Sequence, residues 1–285
     1  MKRVLVVGAT GNVGGQVVRQ LLEREAKVTA LLRRPHASGL PDGVEALPGD
    51  LADPACLDGL AGVDAAFLVW CAPLATAPVI LEKLAQRAGR IVFLSNMTIQ
   101  DGVDVYDNRE STVHHTIEGL ISRGPCGWTF LRAGVFAHNA RLWWGPQIRA
   151  GDVVRWPYGE ARTAPIHERD IAAVAVRALL DPGHDRAKHV LTGPEPLSHR
   201  DQVRILGEAL GRPLRFEEMT PDEARAAWAG TWPAPIIDML LAAWPRLVGA
   251  PVLVTPTVRE VTGAAPRTFQ QWARDHAESF RRSPA

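Results

Sequence analysis

Apolar residues in the first half of the chain gather into short runs separated by longer stretches of helical period. The runs at 3–7, 27–32, 44–47, 65–70, 90–94 and 127–131 are rich in Val, Leu, Ile and Ala. Each is of strand length. Between them, 13–25 places Val17, Val18, Leu21 and Leu22 on one face, and 77–88 and 109–122 show similar amphipathic spacing. Strands alternating with helices in this way predict βαβ units on a parallel sheet.

Beyond Ala133 the texture changes. Phe136, Trp143, Trp144, Trp156 and Tyr158 crowd into a short span broken by Gly145-Pro146 and Gly151. The α/β pattern resumes with Ile166-His167, a helix over 169–180 and a strand over 189–191. Ser198, with Asp201 three residues later, predicts a capped start for a helix over 200–211. The rest, to about residue 283, reads as short helices separated by Pro233, Pro235, Pro245, Pro251 and Pro256.

Charge and composition narrow the function classes. Lys+Arg 32 against Asp+Glu 31 leaves a net charge of +1 and no basic block, so nucleic acid is excluded as an expected partner. No stretch approaches the ~18 apolar residues of a membrane span, and the run after Met1-Lys2-Arg3 is too short for a signal peptide. A soluble, cytoplasmic protein is expected. Cys56, Cys71 and Cys126 form no C-x-x-C pair, so neither a disulfide framework nor a metal site is expected. The oligomeric state is left open, a homodimer being one option. The only lysines are Lys2, Lys27, Lys83 and Lys188.

The candidate chemistry begins at Gly8-Ala9-Thr10-Gly11-Asn12-Val13-Gly14, between the first strand and the first long helix. A tight strand-to-helix turn, a close backbone approach to a pyrophosphate and close packing of helix on sheet each need a residue without a Cβ. The spacing and its place predict dinucleotide binding by a Rossmann-type, doubly wound parallel α/β sheet over 1–134. A small, mostly helical substrate-binding region would occupy 135–285, interleaved with the last strands and helices of the sheet at 167–192. The second strand ends in Arg33-Arg34-Pro35 rather than in a carboxylate, which favours a ribose 2′-phosphate and hence NADP(H) over NAD(H). Asp50 and Leu51 follow the third strand and would receive the adenine edge and face. Trp70-Cys71 after the fourth and Ser95-Asn96 at the fifth would flank the nicotinamide half.

Together with Trp128-Thr129-Phe130-Leu131-Arg132-Ala133-Gly134-Val135-Phe136 and Asn139, with His167-Glu168-Arg169-Asp170, and with the tail from Val261-Thr262-Gly263 to Phe280, these motifs resemble the NmrA-like atypical short-chain dehydrogenases/reductases. That family includes NADPH-dependent quinone reductases and non-catalytic NADP-sensing regulators. The Tyr-x-x-x-Lys pair of most short-chain dehydrogenases is missing, since the fourth residues after Tyr106 and Tyr158 are Glu110 and Arg162. The family places a polar side chain facing the nicotinamide on the helix before the Trp-Thr strand. Here that position is His114, or His115 if the loop differs by one residue; Glu118 one turn on could orient it or form a surface pair. The resemblance also puts the substrate wall at Phe136, Asn139, Trp143, Trp144, Trp156 and Tyr158, for which simple core packing is the competing reading. The expected activity is NADPH-dependent reduction of a quinone or other aromatic, polyketide-like carbonyl compound. The alternative is an NADP(H)-binding redox sensor without turnover.

Overall fold

The computed structural model describes residues 1–34, 39–106 and 108–281. Pro35 of the arginine motif and Ser283 at the end of the tail lie outside them. In chain order the elements are β1 (Arg3–Val7), α1 (Asn12–Glu23), β2 (Lys27–Leu32), β3 (Val44–Pro48), β4 (Ala65–Leu68), α2 (Ala77–Arg87), β5 (Arg90–Asn96), α3 (Arg109–Ser122) and β6 (Gly127–Ala133). Then come α4 (Asn139–Trp143), α5 (Gly145–Ala150), β7 (Val153–Pro157), β8 (Arg162–Thr163), α6 (Glu168–Leu180), β9 (Ala187–Leu191), β10 (Leu197–Ser198) and α7 (His199–Leu210). The chain continues through β11 (Arg215–Met219), α8 (Pro221–Trp228), α9 (Ala234–Ala243), α10 (Thr257–Thr262) and α11 (Phe269–Asp275).

The chain divides into two compact units. The first comprises Met1–Gly134, Glu168–Leu191 and Thr257–Ala265. Among the described residues it holds a seven-stranded sheet in the order β3-β2-β1-β4-β5-β6-β9, every neighbouring pair parallel. The inner strands β1, β4, β5 and β6 are buried on both faces and need no polar alternation, which is why they appear in the sequence as nearly continuous apolar runs. Leu5, Val7, Phe93 and Phe130 point into one core layer with Leu81 and Leu84 of α2 and Ile117 and Ile121 of α3. On α1, Val13, Val17, Val18 and Leu21 are buried, and this helix packs against α6. The strand order reverses between β1 and β4. In open α/β sheets, the crevice at such a reversal, outside the carboxyl ends of the strands, is where ligands bind.

The second unit comprises Val135–His167, Thr192–Pro256 and the segment from Pro266 onward. It contains two small sheets, the parallel pair β7–β11 and the antiparallel pair β8–β10. Its core gathers Trp144, Trp156, Trp228, Trp244, Phe269, Trp272 and Phe280. Ser198 and Asp201 form a reciprocal capping box at the start of α7, and Gly211 ends that helix at φ +67°. This is the N-cap and left-handed C-terminal glycine expected of a well-bounded helix. No helix of the described residues is long and apolar enough to cross a membrane.

Candidate active site

The turn after β1 is shaped by missing side chains. Gly8 sits at φ +84°, and a Cβ there would come within 3.0 Å of the Val69 Cβ at the end of β4. Gly11 N–H donates to Gly8 O at 2.9 Å and closes the turn. Gly14 lies so close under it that a Cβ would stand 2.0 Å from Gly8 O. Gly11 is the N-cap of α1 in an extended conformation, and no side chain caps the helix. Thr10, Gly11 and Asn12 are exposed. Open first-turn N–H groups together with the positive end of the helix dipole make a site for an anion. A backbone cradle that any Cβ would obstruct, ending on an uncapped helix, fits the pyrophosphate of a dinucleotide.

Arg33 and Arg34, just past β2, are exposed and have no ion-pair partner among the described residues. Asp50 follows β3, and its Oδ1 accepts from Ala52 N–H at 2.9 Å. Desolvation by the surrounding protein pushes the Cys71 thiol up, with Arg33 opposing and Asp50 adding to that shift. Arg33, Asp50 and Cys71 therefore share one electrostatic neighbourhood at the ends of β2, β3 and β4. Leu51 is buried in the core and offers little surface. Trp70 is half-buried, and its indole N–H is buried without a hydrogen-bond partner among the described residues.

The ends of β5 and β6 carry a network that the sequence did not announce. Glu118 is 5% exposed and Arg132 6%, and they form a buried fork: Arg132 Nε and Nη2 donate to Glu118 Oε1 and Oε2 at 3.0 and 2.7 Å. Glu118 is thus no surface pair. Ser95 Oγ–H also donates to Glu118 Oε1, at 2.6 Å. Asp101 Oδ1 accepts from Arg132 Nη2 at 2.9 Å and from Lys188 Nζ at 2.6 Å, and the Lys188 hydrogen bond, ahead of Arg132, holds the Asp101 carboxyl below its usual range. Asn96 Oδ1 accepts from Thr98 N–H and its Nδ2 donates to Glu110. One signal could have found the network. An arginine inside the apolar run Trp128–Ala133 demands a buried partner.

His114 and His115 are separated by their surroundings. The His114 ring stacks on Phe93 of β5, with centroids 5.5 Å apart, and its Nδ1 is buried with no hydrogen-bond partner among the described residues. Burial lowers its pKa, against the smaller upward pull of Glu110 and Glu118, so the ring is neutral at pH 7. His115 instead leans on Tyr106 of the loop before α3, at 5.4 Å. The Tyr106 hydroxyl is engaged with the Gln100 backbone at 2.9 Å and 3.2 Å.

In the second unit, Trp144 and Trp156 have no accessible surface and belong to the core. Phe136, Asn139, Trp143 and Tyr158 are half-buried and retain surface. His199 is fully buried among Trp143, Trp144 and Trp244, and among the described residues neither ring nitrogen has a hydrogen-bond partner. Burial lowers its pKa from 6.5 to about 4, outweighing the upward pull of the Pro157 and Tyr158 backbone. The unfolded chain takes up this proton near 6.5 and the folded protein only near 4, so stability is lost as pH falls through that window and is level below it. The expected loss is about 3 kcal/mol. Denaturant titrations from pH 7 to pH 4 should show that slope in the parent and a flatter one in His199→Phe; equal slopes contradict the assignment.

The NmrA-like family profile matches residues 1–240. Over 284 residues, 97% of this chain and 99% of its counterpart, the sequence is 39% identical to the (4-alkanoyl-5-oxo-2,5-dihydrofuran-3-yl)methyl phosphate reductase of Streptomyces griseus. It is 32% identical to the NAD(P)H azoreductase of Xenophilus azovorans over 289 residues, 97% of this chain and 99% of the other. The solved structure of the triphenylmethane reductase of Citrobacter sp. with NADP(H) shares the fold, with a TM-score of 0.80 at 18% identity over 96% of this chain and 99% of that one. By profile and by relatives, the chain belongs to the NmrA-like family.

Proposed function

We propose that this protein is an NADP(H)-dependent reductase acting by hydride transfer on a quinone or other conjugated, aromatic carbonyl compound. The observation that carries the reading is the glycine cradle on the uncapped start of α1, with two exposed arginines at the end of the neighbouring β2 that have no ion-pair partner among the described residues. The reductase names of the two relatives support the reaction class. When bound, the reduced nicotinamide supplies the hydride.

The residues divide the remaining work. Gly8, Thr10, Gly11, Asn12, Val13 and Gly14 hold the pyrophosphate with backbone donors. Arg33 and Arg34 take the 2′-phosphate, Asp50 borders the adenine, and Trp70, Cys71, Ser95 and Asn96 border the nicotinamide half. His114, neutral at pH 7, hydrogen-bonds through a ring nitrogen and is a weak proton source. That suits a quinone, whose reduced anion is a weak base that solvent can protonate. Phe136, Asn139, Trp143 and Tyr158 supply the surface for a flat substrate.

Two outcomes follow. Arg33→Ala should weaken NADPH binding about tenfold, the scale of one charge-assisted hydrogen bond, and NADH binding much less. Fluorescence titration with both nucleotides measures this, and equal losses remove the NADP(H) preference. His114→Ala should lower kcat by roughly tenfold or more, and His115→Ala by less. Unimpaired rates in both remove the histidine from the reaction.

A further inference from the structure

Burying an ion pair desolvates both charges, and an apolar pair of similar volume is often as stable. Glu118 and Arg132 nonetheless place such a pair under the end of β5, and Ser95 is tied into it. Glu118 Oε1 accepts the Ser95 Oγ hydrogen at 2.6 Å and the Arg132 Nε hydrogen at 3.0 Å, while Oε2 accepts from Arg132 Nη2 at 2.7 Å. A serine hydroxyl has one hydrogen and two lone pairs. Here the hydrogen is committed to a carboxylate in a short, charge-assisted bond. The carboxylate cannot turn away, because the guanidinium fork holds both of its oxygens. Arg132 Nη2 also donates to Asp101 Oδ1, which Lys188 anchors in turn. Next along the strand, Asn96 has both its amide oxygen and its amide nitrogen bonded within the protein. Ser95 is left with acceptor capacity only.

We propose that the Glu118–Arg132 pair is a positioning device that makes Ser95 a fixed hydrogen-bond acceptor for a donor on the nicotinamide half of the dinucleotide, its carboxamide N–H or a ribose hydroxyl. The same arrangement withholds Ser95 as a proton donor to substrate. Glu118 and Arg132 act through Ser95, which makes the contact. This inference rests on the dinucleotide reading above.

The test compares two ligands on the full chain: NADPH, and 2′,5′-ADP, which keeps the 2′-phosphate and lacks the nicotinamide. Ser95→Ala should weaken NADPH about tenfold, the scale of one hydrogen bond to a polar ligand group, and 2′,5′-ADP less than about twofold. Glu118→Gln, which replaces the charged acceptor of the Ser95 hydrogen with a neutral amide and breaks the two-oxygen fork with Arg132, should give a loss of the same ligand dependence. The Ser95→Ala/Glu118→Gln double variant should be no worse than either single change, because both act through one bond. Glu118→Met/Arg132→Met keeps an apolar pair in place so that the protein folds, as a thermal melt will verify, and should show the same loss for NADPH alone. Unchanged NADPH affinity in Ser95→Ala, additive losses in the double variant, or equal losses for both ligands overturn the proposal. If the parent protein binds 2′,5′-ADP and NADPH with no dependence on Ser95, the positioning role alone falls. If it binds neither, the dinucleotide reading falls, and this inference with it.

Discussion

Gly14→Ala is expected to weaken NADPH binding on the order of hundredfold while leaving a folded but weakened protein. The new Cβ would lie 2.0 Å from Gly8 O, 2.7 Å from Gly8 C and 3.2 Å from Ala9 Cα. All three are backbone atoms, so no flexible side chain can swing aside. Relief requires the turn to lift off the helix by about 1 Å, and misplacement on that scale costs on the order of hundredfold where geometry is tightly specified. Overpacking adds about 1–3 kcal/mol of lost stability. Gly15 provides the control. A Cβ there would meet Ala9 O at an ordinary 3.5 Å, and the residue lies inside α1. Gly15→Ala should therefore stabilise by about 0.5–1 kcal/mol, through the helix preference of alanine. Paired melts and NADPH titrations distinguish the two, and equal behaviour contradicts the cradle geometry.

Arg132→Met is expected to be the most damaging single change to stability, at about 3–5 kcal/mol, because it leaves the Glu118 carboxylate buried and uncompensated. Glu118→Met/Arg132→Met removes both charges and should recover most of the loss. Denaturant unfolding of the single and double variants at neutral pH measures this. A single variant as stable as the double one would mean that water reaches Glu118 and the pair is not sealed.

Much of the first unit was legible because its elements obey local rules. The boundaries expected for β1, β2 and α3 coincide with those observed, since unbroken apolar runs and an amphipathic helix leave few other solutions. The glycine turn was legible for the same reason, as a steric requirement written into spacing. By contrast, β7 and β11 pair in parallel across a long separation, and their sequences, Val153–Pro157 and Arg215–Met219, carry charges and a proline that obscure the strand period. The fork between Glu118 and Arg132 joins a helix to a strand, a relation set by packing that no local pattern encodes. Trp144 and Trp156 show a further limit. A core and a substrate wall both call for aromatic residues, and composition alone does not separate them.

The central claim, hydride transfer from NADPH, is tested most directly by incubating the protein with NADPH deuterated at the transferring position and a panel of quinones, azo dyes and unsaturated lactones. The account predicts loss of NADPH absorbance with at least one acceptor and one deuteron, or its exchanged equivalent, accounted for in the reduced product. Stoichiometric binding of NADPH with no oxidation across the panel contradicts it, and makes the protein an NADP(H) sensor.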